Sequence, residues 1–371
     1  MKQIDLFSLL PTDQKEKFEK KVANDYIWTF KDYPKIEENS LTAFSCFACG
    51  GGSTMGYKLS GVNVLGCVEI DPRMNEVYVR NHNPKYNYIE DIRDFNNRED
   101  LPEELYNLDI LDGSPPCTTF SMVGLREETW GKTKKFREGQ KEQTLDDLSF
   151  VFLDTVEKLL PKVVIMENVE GLLLGEAWGY VQRIYERFSY IGYRVRHFLI
   201  KGEQAGIPQT RHRVFFIAIR KDLDIDPTFL DMSFNYEPIL YKTIKKGFGK
   251  TFNKNTCAYR VLSMAINKDK TFSDVYERIG EKPRQFGHRI IWNDDIMATI
   301  TAKTDIYRGE EKTTISIEDI ISAQTFPQDF DFIKRTLSNV SYICGMSVPP
   351  IMIKRVMDKL KNQGVFDYKN K

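Results

Sequence analysis

Leu41-Thr42-Ala43-Phe44-Ser45-Cys46-Phe47-Ala48-Cys49-Gly50-Gly51-Gly52-Ser53 is a short apolar run that breaks into glycines. About twenty residues on, Val64 to Ile70 repeats the step and ends on Val68-Glu69-Ile70-Asp71, with acids where the first run has glycines. Further short runs follow at Asn87 to Asp91, Leu108 to Asp112, Val163 to Met166, Arg194 to Ile200 and Val214 to Ile219, separated by helical stretches. Strands that alternate with helices predict an α/β fold with a mostly parallel, helix-covered sheet. In such sheets ligands bind at the carboxyl ends of the strands, where these runs place Gly50, Glu69, Asp91, Asp112 and Glu167.

Working outward, residues 1–40 are polar and Lys/Glu-rich and read as an N-terminal appendage. After Arg220 the rhythm fails, and a second, less regular unit is expected. Ile351, Ile353, Val356, Met357 and Leu360, entered through Pro349, have the spacing of a closing amphipathic helix. The chain has 371 residues, 41% hydrophobic and 29% charged, which suits a large domain with a smaller one and rules out a disulfide or metal scaffold. No apolar run approaches the roughly 18 residues of a membrane span, and the first ten residues do not read as a signal peptide. Six cysteines without a CxxC or Cys/His cluster predict free thiols in the cytoplasm and no metal. Net charge is zero, but residues 241–290 carry 12 Lys/Arg against 4 Asp/Glu. A polyanion contact belongs there, unless the run is only a solvated face.

Phe47 to Ser53 alone is equally a tight turn without a ligand. It lacks both the Lys-Ser/Thr of a P-loop and the GxGxxG spacing. Glu69 at the end of the second strand can accept from both hydroxyls of a ribose, and Asp91 from an adenine amino group between Ile70 and Ile92. Three such features on successive strands favour a nucleoside cofactor. The sharpest feature is Asp112-Gly113-Ser114-Pro115-Pro116-Cys117-Thr118-Thr119-Phe120-Ser121, where two prolines stiffen the backbone before a cysteine. Met166-Glu167-Asn168-Val169 brings a carboxyl to the same sheet edge, and Arg211 and Arg213 alternate in an extended segment, so both point to one face. A thiol beside a carboxyl suits conjugate addition to a pyrimidine.

Taken in order, these residues resemble the DNA (cytosine-5)-methyltransferase family from about Leu41 to Leu360. Ala298-Thr299-Ile300-Thr301-Ala302, Gln324-Thr325-Phe326-Pro327 and Ser347-Val348-Pro349-Pro350 extend the match. The resemblance implies a Rossmann-like methyltransferase domain of residues 41–220 with 325–371, plus a smaller, irregular target-recognition domain of residues 221–324. It implies Cys117 as nucleophile, Glu167 as the partner of cytosine N3, Arg213 at cytosine O2 and Arg211 in support. Phe47, Ala48, Cys49, Gly50, Gly51, Gly52, Glu69, Ile70, Asp91, Ile92, Pro116 and Ser347 would hold S-adenosylmethionine, later S-adenosylhomocysteine. Ser121, Lys245, Lys246, Lys250, Lys254 and Arg260 would meet DNA, and residues 124–143 would close over a flipped cytosine. The expected partners are double-stranded DNA and a cognate restriction endonuclease, with the protein a monomer. Cys49, Met346 and Ser322 depart from the family pattern. The same chemistry on RNA remains open at this level, whereas an amino-methyltransferase would lack Cys117.

Overall fold

The computed structural model describes residues 21–116, 133–134, 143–144, 147–284 and 287–370. The expected strands form as β1 (Thr42–Cys46), β2 (Asn63–Val68), β3 (Tyr86–Tyr88), β4 (Ile110–Gly113), β5 (Val163–Val169), β6 (Tyr193–Lys201) and β7 (His212–Arg220). They make one seven-stranded sheet in the order β3-β2-β1-β4-β5-β7-β6. Pairings from β3 to β5 are parallel, while β7 runs antiparallel to both β5 and β6. This is the Rossmann-like arrangement, with helices α1 (Gly52–Leu59), α2 (Pro72–His82), α3 (Ile92–Asn96), α4 (Leu148–Leu159) and α5 (Trp178–Tyr190) in the crossovers.

Period-two alternation sorts the core into two layers. Ala43, Ile110, Ile165 and Ile217 face one side, with α1 and α2, and Phe44, Leu111, Val164 and Phe216 face the other, with α4 and α5. The first layer is closed by the last helix, α11 (Pro350–Asn362), whose Ile351, Ile353, Val356, Met357 and Leu360 are all buried. A Cβ on Gly56 would stand 2.4 Å from Pro350 O, so α1 and α11 touch through backbone.

Between β7 and α9 (Ile317–Ala323) the chain forms α6 (Tyr241–Ile244), α7 (Cys257–Met264), α8 (Phe272–Arg278), and a small sheet of β8 (Arg289–Ile291), β9 (Ile306–Arg308) and β10 (Thr313–Thr314). Val261, Leu262, Phe272, Val275, Tyr276, Ile290, Trp292 and Tyr307 give this part its own core. Leu230, Met232 and Ile239, although they follow Arg220, pack into the main core.

Residues 21–33 differ from the expected appendage. Ala23, Tyr26 and Trp28 are buried in the main core, Trp28 Nε1 donates to Thr325 O at 2.8 Å, and Asp25 meets Arg355 Nη1 at 2.8 Å. The lysines and glutamates of the first 40 residues hide this, because two aromatic anchors, Tyr26 and Trp28, suffice to dock a polar segment. Among the described residues no helix is long and apolar enough to cross a membrane.

Candidate active site

A cleft opens at the carboxyl ends of β1, β2, β4 and β5, where strand order reverses about β1. Its lining joins Phe47, Cys49, Glu69, Ile70, Asp91, Ile92 and Pro116 to Glu167, Arg211 and Arg213. Residues from six strand ends thus share one space. Ala48, Gly50, Gly51, Gly52 and Ser347, grouped with the cofactor residues by sequence, do not line it.

The glycines have another reason. Gly51 sits at φ +84°, and a Cβ there would lie 2.0 Å from His82 Nε2. One on Gly52 would lie 2.1 Å from Val348 O. The turn is glycine-rich because α2 and the Ser347–Val348 segment ahead of α11 press on it, not because the glycines face the cleft. Ser347 is likewise turned inward, its hydroxyl donating to Ile343 O at 2.8 Å. Tyr342, Gly345 and Met346 of α10 (Leu337–Met346) line the cleft in its place.

Glu69 anchors the turn. Its Oε2 accepts from Cys49 N and its Oε1 from Asp71 N, both at 2.8 Å. Cys49 adopts the left-handed conformation, φ +47°, which is strained for a residue with a side chain. Burial pushes the Cys49 thiol well up, with Glu69 adding to it, and burial does the same to Cys46, Cys67 and Cys344. Those four are poor thiolates. Asp91 caps α3 by accepting from Arg93 N at 2.9 Å and pairs with the Arg93 guanidinium at 3.2 Å.

On the other side of the cleft, Arg213 Nε lies 2.7 Å from Glu167 Oε1, an ion contact without hydrogen-bond alignment. Burial, only partly offset by Glu167, holds the Arg213 guanidinium below its usual range. Arg211 is 3% exposed and donates to Ile300 O at 3.2 Å and Gly345 O at 3.4 Å. Burial and Arg213 lower its pKa to about 9, so it stays charged at neutral pH.

Three supporting groups went unassigned in the sequence. Asn168 Nδ2 reaches Pro115 O at 3.4 Å, tying the Glu167 strand to the backbone ahead of Cys117. Gln209 Nε2 donates to Gln324 Oε1 at 2.8 Å, whose Nε2 donates to Ser347 O at 2.7 Å, a buried chain across three segments. Asp112, 1% exposed, accepts from Ser45 Oγ at 2.8 Å and Tyr57 OH at 2.9 Å. Burial pushes its carboxyl up to about 7 despite those bonds. Adjacency to Pro-Pro-Cys and Glu-Asn-Val signalled Asn168 and Asp112, but no local pattern announced the glutamine chain.

Cys117, Ser121 and residues 124–132, 135–142 and Phe286 lie outside the described residues. Lys245 pairs with Glu311 and with Asn293 Oδ1 at 2.9 Å, and Arg260 pairs with Glu281. Lys250 and Lys254 are exposed and Lys246 is half-buried, and none of the three ammonium groups has an acidic partner among the described residues. No group of three or more His, Cys, Asp or Glu is placed to hold a metal among them.

Comparison with known proteins puts this geometry in context. A family model described as C-5 cytosine-specific DNA methylase matches residues 41–362. The chain is 27% identical over 327 residues to the Type II methyltransferase M.Sau96I of Staphylococcus aureus, covering 82% of this chain and 72% of that one. It is 26% identical to M.FnuDI of Fusobacterium nucleatum, covering 87% and 96%. The solved structure of a Spodoptera frugiperda DNMT2 mutant shares the fold, with a TM-score of 0.58 at 14% identity over 87% of this chain and 100% of that one.

Proposed function

The chain belongs to the C-5 cytosine-specific DNA methylase family, and from that membership we propose which of its residues carry the reaction. It is a DNA (cytosine-5)-methyltransferase. The observation that supports the assignment is the convergence of Glu167, Arg211 and Arg213 with Glu69 and Asp91 in one cleft, bordered by Pro115 and Pro116 immediately before Cys117. Residues 41–220 with 325–371 act as the catalytic domain, whose core Leu230, Met232 and Ile239 join, and the rest of residues 221–324 acts as the target-recognition domain. The Type II names of the relatives favour a restriction-modification setting with a cognate endonuclease.

The donor set fits S-adenosylmethionine: an acid for ribose hydroxyls in Glu69, a second in Asp91 for the adenine amino group, and Phe47, Ile70 and Ile92 as apolar walls. When bound it supplies an electrophilic methyl group. Cytosine C5 is a weak nucleophile until the Cys117 thiolate adds to C6. The electron pair displaced toward N3 is met by a proton from Glu167, and C5 becomes the carbon of an enamine. Arg213 then holds O2, and Arg211 fixes the segment that carries Arg213. After methyl transfer to C5, the C5 proton leaves to water, the thiolate is expelled from C6 as the C5–C6 double bond re-forms, and the N3 proton returns to Glu167, which restores the ring and the enzyme.

Bisulfite sequencing of host DNA expressing the protein, beside a Cys117→Ser form, tests this reading. A methylated cytosine at one recurring sequence in the first and none in the second is expected. Purified Cys117→Ala turning over above about a thousandth of wild type removes Cys117 as nucleophile, since general acid-base help alone supplies only about 10² to 10⁴.

A further inference from the structure

Phe248 is 99% exposed, the most open large apolar side chain among the described residues. Its exposure is built in rather than incidental. On one side Lys246 O accepts from Arg308 Nη2 at 2.7 Å and from Ser316 Oγ at 2.7 Å, Gly247 O accepts from Arg308 Nη1 at 3.1 Å, and Lys246 N donates to Asp319 Oδ1 at 2.8 Å. On the other, Lys250 N donates to Thr314 Oγ1 at 2.9 Å and Thr314 N to Lys250 O at 3.1 Å. A Cβ on Gly249 would stand 1.7 Å from Thr314 O, so the loop lies backbone-down on β10. Both ends of a five-residue loop are pinned, and the pinning hub is itself buried: Arg308 is 3% and Asp319 0% exposed.

A rigid loop that holds an aromatic ring in water forgoes burial, which makes sense where the ring is covered on binding. Charge identifies what covers it. Lys246 and Lys250 flank Phe248, and neither ammonium has an acidic partner among the described residues. Phe229, 87% exposed, stands instead between Asp226 and Asp231. We propose that Phe248 is a wedge that seats its ring against unstacked bases of the double-stranded DNA target while Lys246 and Lys250 hold the neighbouring phosphates. Apolar wedges of this kind open a base step and bend the duplex. The proposal rests on the reading that residues 221–324 face DNA.

The test uses the full chain saturated with S-adenosylhomocysteine and a labelled duplex carrying the mapped methylated site, with 2-aminopurine placed at successive steps across it. Phe248→Ala weakens binding by about tenfold to a hundredfold, removes the 2-aminopurine emission that wild type induces, and leaves the salt slope unchanged. Phe248→Trp restores both signals. Lys246→Gln with Lys250→Gln makes the salt slope shallower by up to about 0.9 per lost contact. Phe248→Ala within about twofold of wild-type affinity and with unchanged emission overturns the wedge alone if the lysine variant still lowers the slope. If the lysine variant is silent too, the DNA-facing reading falls with it. Concentration-dependent self-association abolished by Phe248→Ala assigns the ring to a second copy of the chain and likewise overturns the proposal.

Discussion

Glu69→Ala separates a ribose ligand from a structural clamp, because the carboxylate is placed to be both. Its two oxygens accept from Cys49 N and Asp71 N at 2.8 Å each, and it lines the cleft at 6% exposure. A hydrogen bond to a charged group contributes about 1.5–3 kcal/mol, so losing two costs about 3 kcal/mol even at the low end. Unfolding entropy of about 2.1 cal/mol/K per residue over 371 residues gives about 0.8 kcal/mol per kelvin, and the expected fall in Tm is therefore about 4 °C. Loss of the ribose contact weakens S-adenosylmethionine binding by a further tenfold to hundredfold, roughly. Calorimetry without cofactor reads the first effect, and isothermal titration reads the second. Glu69→Gln, which keeps one carbonyl acceptor, falls between wild type and alanine in both. An unchanged Tm with weakened binding refutes the clamp; a lowered Tm with unchanged affinity per folded molecule refutes the ribose contact.

Asp112 is expected to make stability fall as pH rises. Its folded pKa of about 7 lies above the unfolded value of about 3.9, so the unfolded chain releases the proton first. The contribution of Asp112 is full below about pH 4 and is lost as pH rises to about 7, with a slope of at most ~1.4 kcal/mol per unit. Denaturant titrations of Asp112→Asn at pH 5 and pH 7 should show that part of the slope gone, and an identical slope in both proteins refutes the assignment. Arg308→Ala leaves the buried Asp319 carboxylate without its counter-ion, still held by Tyr241 OH, Lys246 N and Ser316 N, and should cost at most about 3–5 kcal/mol, whereas Arg308→Leu with Asp319→Leu costs less than the single change; equal losses in the two proteins contradict a paired hub. Gly51→Ala meets His82 Nε2 and a positive φ at once. Adding His82→Ala should recover the steric share but leave about 1–2 kcal/mol of backbone strain, which a double-mutant cycle of melting measurements separates.

All seven strands of the main sheet, and the acids at their ends, were legible in the sequence. The apolar runs from Leu41 to Ile219 are short, β-rich and broken by turn residues, and that periodicity is a local property. The shared placement of Glu167, Arg211 and Arg213 on the cleft was legible for the same reason: fixed spacing on one strand end already says which side chains share a face. Contacts between distant segments were not. Trp28 docking on Thr325, Gln209 reaching Ser347 through Gln324, Glu69 clamping Cys49, and the Arg308–Asp319 hub under Phe248 join residues that no pattern in the chain pairs. Nor could the glycines reveal that a side chain at Gly51 would strike His82 and one at Gly52 would strike Val348. Sequence periodicity records which face of an element is buried, but a buried polar group finds its partner only when the packed layers bring distant segments within hydrogen-bond reach. Tertiary structure alone decided those pairings.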